Sequence, residues 1–299
     1  MAMLEITDLH KRFGEKQVLQ GLELAVPEHS IFGFIGKNGA GKTTTMKIVL
    51  GLLRADAGTV RVAGEQVEYG RTNVNRQIGF LPDVPEFYPF FTAPEYLAFC
   101  GGISGMSSSD IRRRSGELLE LVGLAGEKHR IGGFSRGMKQ RLGIAQALLG
   151  KPRLLICDEP TSALDPVGRK EVLDILSTVR EETTVLLSTH ILSDAERVCT
   201  HAALLHNGVA VMQGSLPLLK EYRHNREYRL ETEDDADLIT LQQAFPKLRC
   251  TGRREAVFTE PSPSLFCLLG FAAEQKIRLR SLERAESTLE SLFMEVTKG

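Results

Sequence analysis

Gly36-Lys37-Asn38-Gly39-Ala40-Gly41-Lys42-Thr43 follows the apolar run Ser30–Ile35 and opens a helical pattern from Gly41 to Leu52. That placement decides the fold class, because a strand, a glycine-rich turn and a helix in direct succession open an α/β nucleotide-binding unit. The glycines let the backbone curl so that successive N–H groups point at phosphate oxygens, and the helix adds the positive end of its dipole. Lys42 reaches the β- and γ-phosphates, and the Thr43 hydroxyl suits Mg2+. The stretch implies a bound nucleoside triphosphate.

Working outward, Leu4–Leu9 and the spacing of Val18, Leu22, Leu24 and Val26 predict two strands before it. After it, Leu154–Cys157 and Thr184–Ser188 are apolar runs beside the helical stretches Ser135–Leu149 and Pro166–Glu182, as in parallel strands buried on both faces. From about Pro94 to Leu149 no strand is evident, which predicts a helical insertion. Near Gly214-Ser215 the pattern changes. There follow a strand (Arg226–Glu231), a helix (Asp235–Phe245), two strands (Leu248–Cys250 and Ala256–Thr259), a helix (Pro263–Lys276), a strand (Ile277–Arg280) and a tail helix (Ser287–Val296). That β-α-β-β-α-β order predicts a small ferredoxin-like domain. The expected organisation is one α/β domain over 1–222, with a helical subdomain at about 86–150, and an α+β domain over 223–299.

The 299 residues are 42% hydrophobic and 25% charged, which excludes disordered, collagenous and disulfide-scaffold classes. Lys and Arg number 37 against 38 Asp and Glu, so bulk positive charge does not hold this chain to nucleic acid. No run approaches the ~20 apolar residues of a membrane span, and no secretory leader opens the chain. Five cysteines without CxxC spacing fit reduced thiols, no ligand-spaced set predicts a structural metal, and the expectation is a soluble intracellular protein.

Two further constellations carry chemistry. Leu154-Leu155-Ile156-Cys157 ends in Asp158-Glu159; Asp158 is placed to hold Mg2+ through water and Glu159 to polarise an attacking water as general base. Taken alone, such a pair is a weak signal, since acids after a strand more often cap the next helix. Phe134-Ser135-Arg136-Gly137-Met138-Lys139-Gln140-Arg141 opens a helix whose free N–H groups suit a phosphate. A second anion-binding helix start in a chain that already has one suggests service to a nucleotide on another copy.

These residues resemble the ATP-binding cassette (ABC) ATPases, and more closely the cassettes of multidrug or lipid-type (ABC-2-like) exporters whose membrane part is a separate polypeptide. The resemblance runs from about Leu4 to Gln213. Gly36–Thr44 matches the Walker A motif, Ser135–Gln140 the signature, Asp158–Glu159 the Walker B pair, Ser162–Asp165 the D-loop and His190 the switch histidine. It implies a P-loop NTPase cassette, a mixed β-sheet core with a helical subdomain, that binds and hydrolyses ATP with Mg2+. By resemblance Phe13 stacks on adenine, Gly36, Lys37, Asn38, Gly39, Ala40, Gly41, Lys42, Thr43 and Thr44 cradle phosphate, and Thr43, Asp158 and Asp83 serve the metal. Glu159 activates water, His190 contacts the γ-phosphate, and Ser135 and Gly137 reach the ATP of a partner cassette in a head-to-tail dimer. A homodimer is the simplest assembly, a heterodimer the alternative. The chain would sit peripherally on the cytoplasmic face of the membrane, driving export through the permease. Retention of Lys42, Glu159 and His190 argues against a non-hydrolysing module. A ribosome- or DNA-directed cassette would bring a second cassette or a long insertion.

The sequence departs from the family pattern in three places. FSRGM stands for LSGGQ, keeping Ser135 and Gly137 but introducing Arg136, which either adds charge near the γ-phosphate or faces solvent. Asp83, in Gly79-Phe80-Leu81-Pro82-Asp83, stands for a glutamine; its carboxylate can approach the metal through water. Phe13 replaces the commoner tyrosine, with core packing at a strand end as the alternative. Phe87–Tyr96 is an aromatic stretch suited to a permease groove or, equally, to the core of the helical subdomain. Arg112–Arg114 reads as a solvated helix face, and Glu231–Asp235 as an acidic helix start. Leu289, Leu292, Phe293 and Val296 form a stripe suited to packing, and the C-terminal domain either stabilises the ATPase dimer or regulates it.

Overall fold

Apolar alternation in the first residues produces a long antiparallel pair, β1 (Ala2–Phe13) against β2 (Lys16–Pro27), in which Leu4, Ile6, Leu9, Leu22, Leu24 and Val26 are buried. The computed structural model describes residues 2–71, 73–222, 227–284 and 288–296, and of Tyr222, Glu295 and Val296 the backbone alone. The expected strand start at Arg226, the helix start at Ser287, the first residues of the expected second domain and the Val296 side chain lie outside the described residues.

A uniformly buried strand, β3 (Ile31–Gly36), leads through the glycine-rich turn into α1 (Lys42–Val49). Next come β4 (Ala57–Val62), β5 (Glu65–Gln66) and β6 (Ile78–Leu81), then three helices, α2 (Ala93–Ile103), α3 (Ser108–Leu121) and α4 (Arg136–Leu148). The alternation resumes with β7 (Leu154–Asp158), α5 (Pro166–Val179), β8 (Thr184–Thr189), α6 (Leu192–Val198), β9 (His201–His206), β10 (Val209–Ser215) and α7 (Leu216–Tyr222). One sheet runs β2-β1-β4-β5 and is antiparallel. The other runs β10-β9-β3-β8-β7-β6, parallel except for β10 on β9. Both contribute to one core, which joins Leu4, Leu22 and Val60 to Phe32, Ile156 and Leu186. The chain from Pro94 to Leu149 is helical without a named strand, as its sequence suggests.

The parallel order converges strand ends. In register, Ile35 of β3 lies beside Thr189 of β8, and Ser188 of β8 beside Asp158 of β7. Three adjacent strands therefore deliver their C-terminal ends to one edge of the sheet, where α/β folds bind ligands.

A second compact unit spans Pro217–Glu295. It contains β11 (Glu227–Thr232), α8 (Asp235–Ala244), β12 (Arg249–Cys250), β13 (Glu255–Thr259), α9 (Leu265–Glu274), β14 (Leu279–Arg284) and α10 (Leu289–Val296). Its strands run β12-β13-β11-β14, all antiparallel, over a core of Leu230, Leu238, Leu241, Phe258 and Leu268. β14 begins two residues later than the sequence pattern suggests. The Ile277 N–H donates to the Ala272 carbonyl, and Lys276 takes φ +56°, so the exit from α9 consumes the first residues of the expected strand. Acids open α8, with Asp234 at its start and Asp235 and Asp237 in its first turn. Leu289, Leu292 and Phe293 of the tail stripe are buried.

Candidate nucleotide site

The glycine turn is shaped by what surrounds it. Gly41 has φ +111°, and a Cβ there would lie 2.7 Å from Leu19 Cδ2 and 3.3 Å from the Val18 carbonyl oxygen. Gly36 is pressed against the Leu205 carbonyl, 2.8 Å from a Cβ position. The Ala40 N–H donates back to the Lys37 carbonyl at 3.1 Å, which closes the loop. The amides of the first turn of α1 have no helical acceptor and are left for phosphate oxygens. Lys42, buried to 6% exposure, donates through Nζ to the Gly36 carbonyl at 2.7 Å, so its ammonium is held over the loop.

The ends of β7 and β8 close the other side. Asp158 accepts from Thr43 Oγ1 at 3.1 Å and from Ser188 Oγ at 3.0 Å. Burial pushes its carboxyl above the usual range, against the pull of those two hydroxyls. Glu159 sits at φ +47°, a left-handed conformation rare outside glycine and the kind of strain that gathers at working sites. Its Oε1 lies 3.2 Å from Lys42 Nζ, and its Oε2 lies 2.8 Å from His190 Nδ1. The His190 backbone N–H also donates to Oε2. Neither carboxylate caps the next helix; Asp165 does that, accepting from the Gly168 N–H at 2.9 Å.

Phe13, Asn38, Gly39, Gly41, Lys42, Thr43, Thr44, Asp83, Asp158 and Glu159 line one cleft of about 520 Å³. Gly36, Lys37 and Ala40 shape the turn from behind that wall. Phe13 is 49% exposed, with Lys11 Nζ over its ring 5.4 Å from the centre, so it is no core residue. Lys16 and Val18 also line the cleft. Sequence reading missed Lys16; its signal was its place just across the Gly14-Glu15 turn from Phe13.

Ser135 and Gly137 do not join this cleft. With Ala163, Leu164 and Asp165 they line a separate hollow of about 370 Å³. Ser135 caps α4, its Oγ accepting from the Met138 N–H at 3.2 Å. Arg136 is exposed on that turn. Asp83 bridges to the D-loop segment, its Oδ1 accepting a hydrogen bond from Ser162 Oγ.

Residues 19–162 match the family model described as ABC transporter. An ABC transporter ATP-binding protein of Bacillus subtilis is 36% identical, over 98% of this chain and 99% of its own length. The chain belongs to the ABC transporter ATP-binding proteins. The Nod factor export ATP-binding protein I of Burkholderia lata is 33% identical over 99% of this chain and 97% of that one. A solved dimeric ATP-binding cassette in a post-hydrolysis state with ADP and Pi superposes with a TM-score of 0.64. It is 25% identical, over 72% of this chain and 99% of that one.

This ABC ATPase is thus an ATP-binding and ATP-hydrolysing transporter subunit. No helix among its described residues is long and apolar enough to cross a membrane. Hydroxyl and carboxylate oxygens of Thr43, Asp158 and Asp83 are among the groups that line the cleft, donors of the kind a hard cation takes. Glu159 Oε1 is buried, with the Lys42 ammonium beside it and no aligned hydrogen bond among the described residues.

Proposed function

We propose that this chain is the ATPase of an ABC-2-like exporter, working as a head-to-tail homodimer on a separate membrane permease at the cytoplasmic face. One observation carries the reading: the chain holds two unlike half-sites on separate surfaces, the cleft around Lys42 and the hollow around Ser135 and Gly137. Each is incomplete alone. A second copy supplies what each lacks.

Phe13 offers its exposed ring to the adenine, and the turn from Gly36 to Thr44 takes the phosphates. Thr43 and Asp158, with Asp83 nearby, hold Mg2+, which when bound neutralises phosphate charge. Phosphate oxygens compete with Glu159 for the Lys42 ammonium, and loss of that ion pair leaves Glu159 a freer base. Glu159 Oε2, hydrogen-bonded to His190, takes the proton of the attacking water. Ser135 and the amides near Gly137 meet the partner's γ-phosphate. Pairing and parting of the cassettes drive the permease.

The cassette is assigned to residues 1–222 and an accessory domain of ferredoxin-like order to 223–299, although the second compact unit already begins at Pro217, within α7. The groove beside the signature helix is the permease dock. Val84, Phe87, Pro89, Ile131 and Gln140 line it, around about 430 Å³. Gln140 is 2% exposed and its Nε2 has no acceptor among the described residues, an amide kept ready for a partner's carbonyl. Tyr88 and Phe90 stand beside it, more than half exposed.

The test is light scattering after size exclusion on purified Glu159→Gln, with and without Mg·ATP. Without the base, ATP stays trapped and the chain elutes as a dimer only with nucleotide. A variant that binds ATP yet stays monomeric refutes self-pairing.

A further inference from the structure

We propose that the Asp83–Ser162 hydrogen bond is a latch through which filling of the cleft is felt at the hollow this chain offers its partner. The inference rests on Asp83 serving the metal as proposed above. Asp83 stands on the cleft wall with Asp158 and Glu159. Its carboxylate accepts from Ser162 Oγ, across 79 residues of chain. The Ser162 N–H in turn donates to the Glu159 carbonyl at 3.0 Å, so Ser162 is tied both to the cleft wall and to the backbone of the proposed base.

Directly after Ser162 the chain becomes the wall of the other half-site. Ala163 has φ +51°, a left-handed conformation that an alanine holds only under restraint. Ala163, Leu164 and Asp165 then line the hollow with Ser135 and Gly137. One hydroxyl therefore stands between a carboxylate facing the nucleotide and a strained backbone facing the partner. A divalent cation draws a carboxylate more strongly than a neutral hydroxyl does. When Asp83 turns to the cation, Ser162 loses its acceptor and the segment 162–165 loses a restraint. A glutamine at position 83 would carry no charge for the cation to pull on. Ser162 is thus a positioning residue, acting through Asp83.

The experiment titrates Mg2+ against binding of a fluorescent ATP analogue to the full-length chain. Ser162→Ala frees Asp83 and lowers the Mg2+ concentration for half-maximal binding about tenfold, the worth of one hydrogen bond to a charged acceptor. Ser162→Thr, which keeps the hydroxyl, stays near the parent. Asp83→Asn raises the midpoint, and adding Ser162→Ala to it changes nothing further. Hydrogen exchange across 160–166 in the nucleotide-free chain is faster in Ser162→Ala than in the parent. An unshifted midpoint for Ser162→Ala, additive effects in the double variant, or unchanged exchange overturns the latch. Binding by the parent that ignores Mg2+ overturns instead the metal reading on which it rests.

Discussion

Gly41 shows how tightly single atoms bound this site. Its φ of +111° and the 2.7 Å gap to Leu19 leave no room for a methyl group. Gly41→Ala is expected to cost about 1–3 kcal/mol of stability and to weaken ATP binding, because the turn must open to admit Cβ. Thermal melting and nucleotide titration check both. Gly39, equally left-handed, has open space at its Cβ position, so Gly39→Ala disturbs conformation alone and costs less. At this scale the phosphate turn was readable from eight letters, since its chemistry is local. The Asp83–Ser162 bond was not, because the pair lies far apart in sequence and only the fold sets them side by side. Phe13 was ambiguous for a similar reason; a ring at a strand end is core or ligand face according to what covers it.

Among elements, the short aromatic segment between β6 and α2 makes the clearest prediction. Tyr88 packs edge-on against Phe91 and Phe99, while Phe87 meets Tyr96, so the cluster is partly its own core. Yet Tyr88 and Phe90 remain 52% and 55% exposed. Tyr88→Ala and Phe90→Ala are expected to lower the melting temperature of the free chain modestly, through the ring contacts each loses within the cluster. Each should weaken association with the permease by about 2 kcal/mol or more, as buried aromatic anchors do. Co-purification from membranes and thermal melts separate the two effects. Arg112 and Arg113 are exposed, as a solvated helix face requires, but Arg114 is 15% exposed and tucks its guanidinium in beside Glu117, so the basic run is solvated only in part. Elements carried by strong apolar periodicity were legible. β6 was not: it is four residues long and contains Gly79, whose missing side chain lets the Ala147 carbonyl of α4 come closer than a Cβ would allow. β9 and β10 had a readable signal in Asn207-Gly208, both left-handed as a tight hairpin requires.

For the molecule as a whole, two units with separate cores suggest separable tasks. A chain ending after Tyr222 is expected to bind ATP like the parent but to dimerise more weakly with Mg·ATP, if the accessory domain supports pairing. Light scattering of that shortened chain in the Glu159→Gln background decides it, and equal dimerisation removes the accessory domain from that role. Organisation at this scale was legible in element order, which sequence records, while the division into two half-sites needed coordinates. The first turn of α4 serves two surfaces at once. Arg136 belongs both to the wall of the aromatic groove and to the wall of the Ser135 hollow. A change there that suits one neighbour is therefore imposed on the other. Under the proposed function, ATPase and permease cannot be exchanged between transporters as independent parts: a cassette re-tuned to a foreign permease at this turn would also alter its fit to its own twin.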